Sequence, residues 1–176
     1  VAQKWDVERS LLEADGERLT NLLNKQDAIW PEEPNRKLVR RAVNQLSENF
    51  DSRWGGFGHA PKFPTPHNLL FLQHYAALEQ DKSARQMAEK TLLSMACGGI
   101  FDQIGGGFSR YSTDEMWLIP HFEKMLYDNA MLCMAYLEAY ETTQKSVYRR
   151  VTERTLEYVL SELTGPDGQF YCGQDA

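Results

Sequence analysis

The sequence of 176 residues has no run of basic residues, no paired-cysteine motif and no long apolar stretch. Nineteen Lys and Arg stand against twenty-five Asp and Glu, a net charge of −6. The attraction that holds a phosphate backbone is therefore lacking, and nucleic acid is not an expected partner. Cys97, Cys133 and Cys172 are odd in number, far apart, and none forms Cys-x-x-Cys. They read as small buried hydrophobes of a reducing compartment, not as a disulfide framework. The longest apolar runs, such as Leu69-Leu70-Phe71-Leu72, fall far short of the ~20 residues that cross a bilayer. The segment after Val1 is charged and shows no signal-peptide core, so a cytoplasmic, membrane-free protein is expected. His59, His67, His74 and His121 include no i, i+4 pair and no His-Glu-x-x-His, and the glycine runs match neither a Walker loop nor a dinucleotide fingerprint. No metal and no cofactor are expected, and His67 and His74 read as structural.

What is present is an average globular composition, 42% hydrophobic and 11% aromatic, in a length suited to one compact unit. Helical periodicity dominates. Val39, Val43, Leu46 and Phe50 recur on one helical face behind Asn35 as N-cap. Thr65-Pro66 reads as an N-cap followed by proline at the first helical position, with the apolar stretch through Ala76 after it. Ala84, Met87, Ala88, Leu92 and Met95 mark a further helix that stops at Gly98-Gly99. Pro120 is expected to open the longest helix, with one stripe through Phe122, Leu126, Cys133, Leu137 and Tyr140 and another through Met125, Leu132, Tyr136 and Ala139; such a helix is buried on two sides. A last helix is expected from Val147 to Leu163, and the stretch from Asp6 to Ile29 is read as helical despite Gly16. Short strands at Phe108–Tyr111 and Trp117–Ile119 are expected to pair across Thr113-Asp114, with a third strand piece at Gln169–Cys172.

A Gly-x-Phe signal recurs at Gly55-Gly56-Phe57, Gly106-Gly107-Phe108 and Gly168-Gln169-Phe170, at spacings of 51 and 62 positions. That period holds about two helices and their loops, as in an array of helical hairpins. The connection from Gly98 to Ile119 is 22 residues long, beyond the length at which structureless loops are usually functional. Its Arg110, Tyr111, Asp114, Glu115 and Trp117 offer a cation, a phenol, carboxylates and an indole, and aromatic platforms beside polar groups suit sugar rings. Packing of Phe108, Tyr111 and Trp117 beneath the loop explains them equally well.

The helix start itself reads Pro120-His121-Phe122-Glu123-Lys124-Met125-Leu126-Tyr127-Asp128. On a helix, His121, Lys124 and Asp128 share a face and Glu123 and Tyr127 the adjacent one. An imidazole beside two carboxylates suits proton transfer at a sugar carbon or a glycosidic oxygen. Glu123 and Asp128 point about 140° apart on an ideal helix, so they are not by themselves a glycosidase pair. The alternative stays open at this point: a Lys124–Asp128 ion pair, Glu123 on the helix dipole and His121 on a loop carbonyl.

Gly-Gly-Phe-Gly-His-Ala-Pro-Lys-Phe-Pro-Thr-Pro from Gly55, Gly-Gly-Gly-Phe-Ser-Arg-Tyr-Ser-Thr-Asp from Gly105, Trp-Leu-Ile-Pro-His-Phe-Glu-Lys-Met-Leu-Tyr-Asp from Trp117 and the closing Gly-Gln-Asp-Ala resemble the spermatogenesis-associated, thioredoxin-domain-containing family. The resemblance spans roughly residues 50–176. It implies an all-α fold, helical hairpins forming part of an (α/α)6 toroid of the six-hairpin glycosidase and sugar-epimerase kind, with at most a short β-hairpin near 108–119. On this reading residues 1–34 are an N-terminal helical connector and 35–176 about the first three hairpins of a partial toroid. The rest of the toroid and a thioredoxin-like domain, which would hold the family's cysteine motif, belong to a longer parent. The candidate catalytic residues are His121, Glu123 and Asp128; Lys62, Arg110, Tyr111, Trp117, Lys124, Tyr127 and Asp175 are candidate substrate contacts. A carbohydrate ligand, or a protein or peptide held by a non-catalytic module, are the partners this implies, with self-association through uncovered inner helices.

Overall fold

A computed structural model describes residues 2–26 and 35–175. Their secondary structure is almost wholly helical: α1 (Ala2–Gln26), α2 (Arg36–Glu48), α3 (Pro66–Glu79), α4 (Lys82–Cys97), α5 (Leu126–Thr143) and α6 (Ser146–Glu162), with two-residue strands β1 (Tyr111–Ser112), β2 (Pro120–His121), β3 (Lys124–Met125) and β4 (Gly173–Gln174). The chain divides into two compact units near residue 38. In the first, α1 runs through Gly16, is broken locally at Glu8 (φ −127°, ψ 32°) and leaves Leu11, Leu19, Leu22 and Leu23 exposed. Residues 27–29 of the helix expected here, and 27–34 of the expected connector, lie outside the described residues.

Asn35 caps α2 as its sequence position suggested, its Oδ1 accepting from the N–H groups of Lys37 (2.9 Å) and Leu38 (3.2 Å). Asp81 caps α4 in the same way through Ser83 and Ala84. Thr65 does not cap α3: it sits at φ 43°, its hydroxyl makes no cap bond, and Pro66 opens the helix. In the second unit α3 packs on α4, α5 on α6, and α3 on α5, which makes two hairpins standing side by side with α3 and α5 as the shared pair. Their core joins Leu69 of α3, Leu92 and Met95 of α4, Leu132, Ala135 and Tyr136 of α5 and Tyr148 and Val151 of α6, with Phe108 and Trp117 from the loop between the hairpins. Tyr136 is fully buried, its hydroxyl donates to the Leu92 carbonyl at 2.7 Å, and its ring lies 5.4 Å from that of Phe108. Each such aromatic contributes about 2–3 kcal/mol of burial free energy.

The helix expected from Pro120 begins only at Leu126. The six residues before it are extended, because both sides find strand partners: Tyr111 opposite His121 and Ser112 opposite Pro120, then Lys124 opposite Gln174 and Met125 opposite Gly173. Neighbours on an extended chain alternate sides, so the helical face that would join His121 to Lys124 does not exist, and the angle that separated Glu123 from Asp128 no longer applies. The turn between β1 and β2 is also wider than expected, because the Asp114 carboxylate accepts from the N–H groups of Met116, Leu118 and Ile119 and holds 113–119 as a closed loop. The third strand piece falls at Gly173–Gln174, beyond the expected 169–172. Of the cysteines only Cys133 is buried; Cys97 and Cys172 are exposed, contrary to expectation.

The glycine loops are true structural repeats. Phe50 bridges Phe57, Phe101 bridges Phe108 and Thr164 bridges Phe170, each antiparallel. In the first two the pattern is Phe-Asp-x-x-x-Gly-Gly-Phe, and the Asp N–H donates to the second glycine's carbonyl, Asp51 to Gly56 at 3.0 Å and Asp102 to Gly107 at 2.9 Å. All three loops lead from an even-numbered helix, α2, α4 or α6, so they gather at one end of the hairpin array.

Candidate functional site

Three of the candidate contacts turn inward. The Lys62 side chain is 1% exposed, and its Nζ donates to Asp51 Oδ2 (2.5 Å), the Gly55 carbonyl (2.9 Å) and the Glu115 carbonyl (2.9 Å) while lying 5.6 Å from the centre of the Trp117 ring. An ammonium has three donors, and all three are engaged. Lys124 repeats the device one loop on, donating to Asp102 Oδ2 (2.7 Å) and the Gly106 carbonyl (2.9 Å) at 4.3 Å from the Tyr158 ring. Burial alone would raise the Asp102 carboxyl, but Lys124 and the N–H groups of Gly105 and Ile104 bring it down to about 2. Asp51 is lowered in the same sense by Lys62, Trp54 and Arg53. Trp117 is fully buried with its indole N–H donating to the Trp54 carbonyl at 3.0 Å, so it provides no open stacking face. Lys62, Lys124 and Trp117 therefore hold the loops together in this chain, Lys62 and Trp117 against the first loop and Lys124 against the second.

Five other candidates do converge. Strand pairing places Tyr111 against His121, with ring centres 4.7 Å apart and 20° between planes, and the Phe63 ring lies 4.9 Å from that of Tyr111 at a 35° tilt. Arg110 donates its backbone N–H to the Glu123 carbonyl (2.7 Å) and its guanidinium to Glu123 Oε2 (2.9 Å). His121 Nδ1 lies 3.6 Å from the same carboxylate oxygen. Glu123 holds the Arg110 guanidinium above its ordinary value. Arg110 Nε and His121 Nδ1 are both secluded from solvent and make no hydrogen bond within the protein.

Asp128 completes the group from the first turn of α5. Only 8% exposed, it is pushed up to about 6 by burial, against the opposing influence of a hydrogen bond from Tyr127 and the charges of Arg110 and His67. Its proton thus exchanges near neutral pH. Tyr127 is exposed, as is Asp175 beyond β4. Three participants escaped sequence reasoning. His67, read as structural, stands on the first turn of α3 within electrostatic reach of Asp128. Phe63 adds a ring beside Tyr111. Asn129 is fully buried and fixes the loop to the helix, accepting from Phe108 N–H at 2.6 Å and donating to the Phe108 and Met125 carbonyls. The Phe-Asp-x-x-x-Gly-Gly-Phe spacing was the one signal that could have exposed the lysine-bound loops beforehand.

A separate depression of about 410 Å³ lies on the first loop, lined among others by Arg53, Trp54, His59 and Glu115. Among the described residues no cluster of three or more His, Cys, Asp or Glu is arranged to hold a metal ion, and no helix is long and apolar enough to cross a membrane.

Among solved structures, cellobiose 2-epimerase from Bacillus thermoamylovorans B4167 superposes on 80% of this chain and 42% of its own with a TM-score of 0.66 at 15% identity. The chain has the fold of part of an (α/α)6 toroid. A D-mannose isomerase gives a TM-score of 0.60 at 16% identity over 80% of this chain and 42% of its own, so the toroid here is the part of a larger ring that those neighbours share. No protein-family model matches the sequence. Human spermatogenesis-associated protein 20 aligns with the whole chain at 42% identity over 185 residues, the mouse protein of that name at 40%, and uncharacterized protein B0495.5 of Caenorhabditis elegans at 37% over 182 residues. The toroid segment spans about a quarter of the length of these relatives, 24%, 23% and 25% respectively.

Proposed function

We propose that this chain supplies part of the site of a carbohydrate-active toroid that moves a proton on a sugar, in the manner of an epimerase or isomerase or, with a carboxylate pair, of a glycosidase. The observation that carries the reading is the convergence of Arg110, Glu123 and His121 beside Asp128, a buried carboxyl poised at about 6, at the start of an inner helix. Asp128 and His121 are the proton carriers, Glu123 orients the imidazole and the guanidinium, and Arg110 and Tyr127 position hydroxyl groups. Phe63, 46% exposed, presents a ring face to the apolar side of a sugar. The structural neighbours, a cellobiose 2-epimerase and a D-mannose isomerase, support a sugar as the substrate class. Residues 1–34 serve as the connector to a thioredoxin-like domain in the cytoplasmic parent.

The internal pairing of Arg110 with Glu123 favours a second reading, a non-catalytic module that binds a protein or peptide and positions the neighbouring domain. A thermal-shift panel of mono- and disaccharides on the full-length protein separates the two. The enzymatic reading expects a shift with at least one sugar that His121→Ala and Asp128→Asn both abolish; no shift with any sugar overturns it.

A further inference from the structure

The repeated loops follow a rule that the third breaks. In the first loop Gly55 (φ +71°) is pressed against α4, where an added Cβ would lie 2.8 Å from Thr91 Cα, and the Gly56 N–H donates to Thr91 Oγ1 at 2.8 Å. In the second, Gly106 (φ +79°) is pressed against the Arg154 backbone of α6, and Gly107 against the Tyr158 ring. Each loop is thus covered by the second helix of the hairpin that follows it. The third loop keeps the geometry, with Gly168 at φ +81° and Phe170 bridged to Thr164, but Gly168 has no atom near its open side. Phe108 is fully buried, whereas Phe170 is 56% exposed. Met134 and Leu137 of α5 and Leu156 and Leu160 of α6 are exposed as well.

We infer that the third loop and the exposed apolar residues of α5 and α6 seat one further helical hairpin of a longer chain, whose second helix covers Gly168 and Phe170 as α4 covers Gly55 and α6 covers Gly106. The occupant is chain outside these residues rather than a foreign protein, because the aligned relatives are about four times as long and the solved toroids nearly twice as long. Its second helix passes over the loop as α4 does at Thr91, against Gly55, and as α6 does at Arg154 and Tyr158, against Gly106 and Gly107.

Cys172, exposed two residues beyond Phe170, is a native probe of this surface. Thiol labelling is compared in two Cys97→Ser proteins, the present chain and the same chain extended by its natural downstream sequence. The inference expects Cys172 to react at least about tenfold more slowly in the extended protein than after urea unfolding, but near the unfolded rate in the shorter one. A Leu160→Cys variant labelled in the same two proteins must show the same contrast. Unprotected Cys172 in an extended protein whose circular dichroism reports a folded chain overturns the inference. So does protection in the shorter chain that disappears on dilution, which assigns the face to a second copy.

Discussion

Lys124 Nζ and Asp102 Oδ2, 2.7 Å apart, stand in the same relation to a glycine carbonyl and an aromatic ring as Lys62 and Asp51 do one loop earlier. The recurrence explains why two lysines are kept inside a small domain. Each neutralises the aspartate whose second oxygen organises its loop, Asp51 through the N–H groups of Arg53 and Trp54 and Asp102 through those of Ile104 and Gly105.

Removing the cation while keeping the stem should therefore cost more than a surface ion pair. Lys62→Met leaves Asp51 Oδ2 without its cation and the Gly55 and Glu115 carbonyls without this donor, and a loss of about 3–5 kcal/mol is expected in urea unfolding at unchanged m-value. A loss below about 1 kcal/mol would show that Lys62 acts as an ordinary surface charge.

The acid limb of stability should report the second device. The Asp102 carboxyl titrates at about 2 in the folded chain against 3.8 for the free group. Its contribution is complete above the unfolded value and fades as pH falls through the folded one. Asp102→Asn should flatten the stability profile between about pH 4 and pH 2; an unchanged slope there removes Lys124–Asp102 as its source.

Asp128 has the opposite sign. Its folded carboxyl sits at about 6, above the free value of 3.8, so the folded state holds the proton more tightly and loses stability as pH rises from 3.8 to 6. Above pH 6 the buried charge is a net burden. Asp128→Asn should stabilise the protein by about 1–3 kcal/mol at pH 7–8, make no gain near pH 4, and abolish any sugar-induced shift. Thermal melts at the two pH values check the first part, and a variant less stable at pH 8 than the native chain contradicts the assignment.

The helices were legible because their faces repeat at the helical period: Asn35 before Val39 and Val43 marks a beginning that the backbone confirms, and Ala84, Met87, Ala88, Leu92 and Met95 trace the face that α4 buries. The segment 120–125 was not, because its apolar and polar residues fit a helix as well as a strand, and what decides is pairing with Tyr111 and with Gly173, residues 10 and 48 positions away. The same non-local pairing explains the site. His121 and Glu123 are two residues apart on an extended chain and so share a side, which brings both to Arg110; Lys124, between them and Met125, turns inward to Asp102. Burial of Trp117 likewise depends on Trp54 and Lys62, more than 50 positions upstream.

The loops themselves provide a last test, since two glycines with the same backbone differ only in what stands over them. Gly107 at φ +75° faces the Tyr158 ring closely enough that a Cβ would overlap it, whereas Gly168 at φ +81° faces open space in this chain. Alanine at either position carries the left-handed backbone penalty of about 1–2 kcal/mol. Only at Gly107 does it also drive a methyl group into a fully packed aromatic, adding about 1–3 kcal/mol of overpacking. Gly107→Ala should therefore destabilise the chain by about 2–5 kcal/mol and Gly168→Ala by about half that or less, read from urea midpoints under identical conditions. Tyr158→Leu should recover part of the first loss and none of the second, because it removes the ring but not the backbone strain.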